Sequence, residues 1–192
     1  MGGGDKGLLE IGGKTMLSMV IARFAPQVGA LALNANGDPA RFARFGLPVL
    51  PDGIAGHPGP LAGVLAGLDW AASQGTETIV TVAADTPFFP CDLVPRLLLA
   101  AEGMAPPLAL ARTADGLQPT FGLWPVALRE DLRAWLESGE RKVRRWAERH
   151  GARSALFEGP GDPFFNVNAP GDLARATEML AEDGGPDGPV PR

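Results

Sequence analysis

A chain of 192 residues suits one domain, and with 45% hydrophobic and 20% charged residues it can bury a sizeable core. Its formal charge of −5 argues against a nucleic-acid surface, which needs excess Lys and Arg, while a small anion can still be held by a few local cations. The single cysteine, Cys91, excludes an internal disulfide and a cysteine-based zinc cluster, and no apolar run reaches the ~20 residues that span a bilayer, so a cytoplasmic protein without membrane contact is expected.

The chain opens MGGGDKGLLEIGG. Glycines beside an acid and a lysine suit a loop that wraps phosphate, because bare backbone approaches anionic oxygens closely. The stretch is not a P-loop, since Gly7 follows Lys6 where Ser or Thr is needed, nor a dinucleotide fingerprint, since Asp5 and Lys6 interrupt the glycines. Lys6 itself reads either as a point charge for phosphate oxygens or as a solvated terminal lysine.

Helical spacing predicts a helix over 15–24, and VGALALN predicts a strand over 28–34, with another strand at 47–50. GPLAGVLAGLDWAAS, 59–73, predicts a helix that starts at Pro60 and carries small residues on one face. ETIVTVAAD, 77–85, is a β-branched run expected to be buried on both faces of a parallel sheet and to end on Asp85. Cys91, after Pro90 at an expected helix start, reads as structural. Further helices are predicted over 92–102, 126–136, 141–150 and 173–181, and strands around 108–112, 120–123 and 152–157. The last residues, 183–192, are too rich in Gly, Pro and Asp to pack and are expected to be disordered.

This alternation predicts an α/β fold, a mostly parallel sheet with helices on both faces, as a single domain over 1–182. Ligands of such sheets bind beyond the carboxyl ends of the strands, where LNANGD, LPDG, AADTPFFP and FFNVNAPGDL supply oxygens and amides. Asp85 is either a ligand for a hard cation such as magnesium or the cap of a turn or helix. Asn34 with Asn36, and Asn166 with Asn168, form two N-x-N pairs that either present two amides to one ligand or make turns. The run ERKVRRWAERH, with Arg141, Lys142, Arg145 and Arg149, is a solvated face or a hold on a substrate phosphate. His57 and His150 are isolated, and no Ser-His-Asp or Cys-His arrangement can be assembled. Any chemistry therefore rests on positioning and charge neutralisation, as in phosphoryl or nucleotidyl transfer.

Taken in order, these residues resemble the MobA family, the molybdenum cofactor guanylyltransferases, up to about residue 180. MGGGDKGLLEIGGKTML resembles the back half of the family's L-A-G-G-x-x-x-R-M-G-G-x-D-K signature, and NAN, the DG followed by GPLAG, DTP, the PTF after Gln118, SGERKV and NVNAPGDL follow in the family's order. The resemblance implies a Rossmann-like nucleotidyltransferase fold of the nucleotide-diphospho-sugar transferase type. It implies magnesium-dependent transfer of GMP from GTP to the terminal phosphate of molybdopterin, giving the guanine dinucleotide and pyrophosphate. Contact with cofactor-delivery proteins or acceptor molybdoenzymes is also within its scope.

Matched position by position, Lys6 is the nucleotide-contacting lysine and Asp85 the magnesium-binding aspartate, both catalytic. Asn34 and Asp52 fall near the guanosine, and Gly59, Pro60, Leu61 and Gly63 beside the nucleotide. Asn166 and Asn168 match a pair facing the pterin substrate, and Arg141 and Lys142 a basic stretch that helps hold it. The family's first strand, its L-A-G-G loop and its arginine would precede Met1, so Met1 is expected to be an internal methionine, and a chain starting there to bind GTP poorly. A cytidylyltransferase or other nucleotidyltransferase on the same fold, and an inactive nucleotide-fold binding protein, are the alternatives.

Overall fold

The computed structural model describes residues 6–54, 59–158 and 161–182. These fall into two compact units, one drawn from segments 1–26, 83–91 and 161–192 and the other from 27–82 and 92–160. Gly2, Gly3, Gly4, His57 and the expected disordered tail lie outside the described residues.

In the first unit a 3-10 turn, Lys6–Leu8, leads into a hairpin of β1 (Glu10–Ile11) and β2 (Lys14–Thr15). Gly12 and Gly13 close it at φ of 58° and 80°, a left-handed backbone that side chains with a Cβ rarely adopt. This glycine pair therefore makes the turn of the hairpin. Helix α1 (Met16–Phe24) starts where the Thr15 hydroxyl accepts the Ser18 amide at 3.2 Å. The unit's last helix, α6, spans Pro170–Glu182. Ile11, Met16, Phe88, Phe165, Val167 and Ala176 form the buried core between these pieces.

The second unit holds a four-stranded sheet of β5 (Thr78–Thr81), β6 (Ala109–Thr113), β7 (Gly116–Pro125) and β8 (Arg153–Leu156), in the order β5-β7-β6-β8. A separate parallel pair joins β3 (Leu33–Asn34) to β4 (Val49–Leu50). Helices α2 (Pro60–Ser73), α3 (Leu93–Ala100), α4 (Arg129–Glu137) and α5 (Val143–Arg149) complete the unit. Helix α2 packs on β3, β4, β5 and β7, and its Leu61, Leu65 and Leu68 share a core with Trp124, Leu132 and Trp146. Pro60 does begin α2, as its fixed φ favours at a first helical position.

The α/β architecture expected from the sequence is present, but the four-stranded sheet is mixed. Strand β7 runs antiparallel to both β5 and β6, while β6 and β8 are parallel. The cause is local: only Ala114 and Asp115 separate β6 from β7, and a link that short joins antiparallel strands alone. The Asp115-Gly116 dipeptide signals that hairpin, which also extends β7 well beyond the expected 120–123. Strand β5 is shorter than 77–85, all of its residues are half-buried instead of fully covered, and among the described residues it pairs on one side, to β7. Asp85 consequently lies in a turn beyond the strand, not at its last residue.

Candidate active site

Within the first unit, three segments distant in sequence converge. Gly7 is buried, and a Cβ on it would lie 3.2 Å from Ala84 Cβ, so glycine lets the Lys6 turn rest against the residue before Asp85. The Val167 amide donates to the Asp85 carbonyl at 2.9 Å, tying the same turn to the late N-x-N segment. Asp85 starts no helix, since the next one begins at Leu93, so of the two capping readings the helix cap falls away. Its carboxylate is half-buried and, among the described residues, has no hydrogen bond or ion pair.

Asn166 and Asn168 are exposed while Val167 between them is fully buried, so both amides leave the same side of the segment. Lys6 Nζ donates to Asn168 Oδ1 at 2.5 Å. Asp172 Oδ2 accepts the amides of Ala169 at 2.7 Å and Asn168 at 2.8 Å, and these bonds, that from Ala169 foremost, hold its carboxyl below the usual carboxylate range.

The second unit assembles another cluster. The β3–β4 ladder continues as Ala35 N donates to Leu50 O at 3.0 Å, which brings the residues after the two strands together. Asn34 Nδ2 donates to Asp52 Oδ1 and to Leu50 O, both at 3.0 Å. Asn36 Nδ2 donates to Asp52 Oδ2 at 2.8 Å, and its Oδ1 accepts the Asp52 amide at 2.9 Å. Helix α2 closes over this group at Gly63, where a Cβ would overlap Asn34 Oδ1. Gly59 caps the helix ahead of Pro60, and Leu61 is 1% exposed, buried in the core.

The basic run divides. Arg144 pairs with Glu148 at 2.7 Å, Arg145 with Glu140 at 2.9 Å and Arg149 with Asp131 at 3.7 Å, so these three serve the local surface. Arg141 and Lys142 sit exposed just before α5, and Lys142 makes no hydrogen bond or ion pair among the described residues. His150 is structural, since Asp131 Oδ1 meets both its Nε2 at 2.7 Å and Trp146 Nε1 at 3.0 Å. Cys91 is exposed beside Arg23, whose Nη1 lies 3.6 Å from Sγ and also reaches the Phe89 carbonyl.

Sequence reasoning left the partner of Asn36 unread and passed over Asp172. Asn36 was visible as half of a pair, yet its bonds to Asp52 appear only once β3 and β4 run parallel. Asp172 was hidden because α6 begins at Pro170 and not at 173, which makes it the third helical residue, where an acid reaches back to the capping amide.

Magnesium that accompanies a nucleotide takes one or two protein carboxylates and fills its octahedron with water and phosphate oxygens. Asp85, half-buried and without a partner among the described residues, fits that requirement. No group of three or more His, Cys, Asp or Glu converges among the described residues, so an all-protein cage is not what they offer.

Comparison with known proteins bears on the family and the fold. The model of the MobA-like NTP transferase domain matches residues 1–154. The chain belongs to the MobA-like NTP transferase family. Among its family relatives, a molybdenum cofactor guanylyltransferase of Cereibacter sphaeroides is 53% identical over 184 residues, covering 95% of this chain and 92% of that protein. One from Mesorhizobium japonicum is 50% identical over 186 residues, covering 94% and 89%. Among solved structures, molybdopterin-guanine dinucleotide biosynthesis protein A of Archaeoglobus fulgidus superposes with a TM-score of 0.73 at 21% identity, covering 94% of this chain and 92% of that one. A 4-diphosphocytidyl-2C-methyl-D-erythritol synthase of Anaerococcus prevotii also reaches 0.73, at 13% identity and 92% coverage of both chains. These two likenesses establish the nucleotidyltransferase fold of the MobA-like family and do not by themselves distinguish guanine from cytosine. No helix among the described residues is long and apolar enough to cross a membrane.

Proposed function

We propose that this chain transfers GMP from GTP to the phosphate of molybdopterin, releasing pyrophosphate. The observation that carries the proposal is the convergence of Lys6, Asp85 and Asn168 in one unit, an ammonium and an unpaired carboxylate on adjoining turns. Guanylyltransferase relatives at about half identity across nearly the whole chain support GTP over CTP.

In the reaction an oxygen of the molybdopterin phosphate attacks the α-phosphorus of GTP, and the bond from that phosphorus to the bridging oxygen breaks as pyrophosphate leaves with the electron pair. Magnesium held by Asp85 supplies charge neutralisation for the phosphates when bound. Lys6 places a positive charge against phosphate oxygens, and Asn34 and Asp52 serve the guanosine. Gly59, Pro60, Leu61 and Gly63 line the nucleotide, while Asn166, Asn168, Arg141 and Lys142 hold the pterin substrate. No side chain needs to form a covalent intermediate, consistent with the absence of an activated nucleophile among the described residues.

The test is direct. Incubation with magnesium, molybdopterin and either GTP or CTP should yield the guanine dinucleotide and pyrophosphate from GTP alone. Turnover with CTP at an equal rate would replace the guanylyl reading with a cytidylyl one, and a folded protein inactive with both would leave a binding function.

A further inference from the structure

The orientation of Asn168 follows from chemistry. An ammonium carries three N–H donors and no lone pair, so the atom that faces Lys6 Nζ at 2.5 Å must be the amide oxygen, Oδ1. The NH2 of the same carboxamide is then directed away from Lys6. Asn168 is exposed, and its backbone is held by buried Val167 on one side and by Asp172 on the other. Asp172 spends Oδ2 on the amides of residues 168 and 169, and among the described residues Lys6 has no ion pair. The ammonium charge is therefore not cancelled by its neighbour, and two of its N–H groups remain beyond the one given to Asn168.

We propose that Lys6 and Asn168 form an all-donor cradle for a phosphate group, so that Asn168 meets its substrate through the carboxamide NH2 at phosphate oxygen and not through contact with a pterin ring. This rests on the nucleotidyltransferase reading for the source of the phosphate, which is either GTP or the phosphomonoester of the acceptor. Two ammonium N–H and two amide N–H groups, with no acceptor among them, match the acceptor-only oxygens of a phosphate and repel nothing on it. A pterin ring, whose edge mixes donors and acceptors, could meet such an array only through its acceptors and would leave its donors unmatched. The oxygen of Asn168 has a second part: it fixes the lysine, whose long side chain would otherwise lose rotamer freedom on meeting the ligand.

The discriminating variant is Asn168→Asp, which keeps the oxygen facing Lys6, and hence the fold, but replaces the NH2 by a charged acceptor. Titration calorimetry with inorganic pyrophosphate in magnesium-free buffer should show at least a tenfold loss of affinity in Asn168→Asp, with an unchanged melting temperature and unchanged binding of guanosine. Asn166→Asp adds the same charge on the same side of the segment without touching Lys6, and should lose threefold or less. Steady-state kinetics of Asn168→Asp then separate the sources: a raised KM for GTP assigns the cradle to the nucleotide, a raised KM for molybdopterin to the acceptor. Pyrophosphate affinity within twofold of the parent, equal losses in both variants, no pyrophosphate binding by the parent, or two unchanged KM values would each overturn the cradle. A parent that binds pyrophosphate through Asn168 yet forms no dinucleotide would instead fail the proposed activity and leave the cradle standing.

Discussion

The pair Asn34 and Asn36 and the pair Asn166 and Asn168 share one spacing, and in each the asparagines are exposed while the residue between them is more buried. Their surroundings differ in sign. The first pair faces the carboxylate of Asp52 and turns both NH2 groups onto it, and Asn36 also spends its oxygen on the Asp52 amide. In the second, Asn168 faces the ammonium of Lys6 and turns its oxygen inward, which leaves the NH2 outward. An asparagine is both donor and acceptor, so the charge it faces decides which end is used by the fold and which is left for a ligand. The same three-residue motif thus holds an anion in place in one unit and helps present a cation in the other.

The sharpest way to break the comparison is to remove charge from the second cluster. Asp85→Asn should lower kcat by roughly 10²–10³-fold, the scale lost with one electrostatic stabiliser in a water-excluded site, while the melting temperature stays within a few degrees. Activity close to the parent's would remove Asp85 from any metal role. In the first cluster, Asp52→Asn should act differently, through affinity and stability. An amide NH2 would then face the NH2 of Asn34 or Asn36, and because both asparagines are exposed the loss is that of one hydrogen bond, about 0.5–1.5 kcal/mol. We expect KM for GTP to rise about tenfold with kcat little changed, and urea unfolding to shift to lower denaturant. A fall in kcat with KM unaltered would place Asp52 in the chemistry and erase the distinction between the clusters.

Much of this was readable in the sequence for identifiable reasons. The start of α2 at Pro60 and the start of α1 after Thr15 depend on local propensities that the chain states outright. Lys6, Asn34, Asp52, Asp85 and Asn168 were singled out by polar groups at the ends of apolar runs and by the family resemblance, and the structure brings Lys6 to Asn168 and Asn34 to Asp52. What stayed hidden depended on pairing between distant segments. The antiparallel course of β7 needed the Asp115-Gly116 turn to be weighed above the general strand and helix alternation. The role of Asn36 needed the β3–β4 register, and that of Asp172 needed α6 to start three residues earlier than its apolar spacing suggests. The basic run stayed open for a related reason: spacing shows which arginines share a face, but not that Glu140, Glu148 and Asp131 are there to pair with them.

A smaller effect should separate two glycines one helical turn apart on α2. Gly63→Ala drives a methyl group into Asn34 Oδ1, whereas Gly67→Ala meets only the flexible end of Ile79, at 2.8 Å. Overpacking costs about 1–3 kcal/mol. Alanine returns about 1 kcal/mol of helix propensity. Either variant should therefore lose about 0–2 kcal/mol of stability, yet only Gly63→Ala should raise KM for GTP, by about threefold to tenfold, since it displaces a bond to Asp52. Equal KM values in the two variants would mean that Asn34 does not transmit its position to the nucleotide.

The smallest expected effect concerns the anchor of the second pair. Asp172 has a carboxyl held below the usual range by the amides of Ala169 and Asn168, so its folded pKa is depressed relative to the ~3.9 of an unfolded aspartate. A group shifted in that direction contributes stability that is fully present above the unfolded pKa and is lost as pH falls through the folded one. Asp172→Asn keeps an oxygen that can accept these amides but removes the charge that strengthens the bonds. The parent should therefore melt above Asp172→Asn at neutral pH by a constant margin, and the two melting curves should draw together as the pH is taken below about 4. Because the loosened amide belongs to Asn168, the variant should also bind pyrophosphate slightly less well at neutral pH. A margin that persists unchanged into strong acid would mean that shape, not charge, fixes the start of α6, and that Asn168 owes its orientation to Lys6 alone.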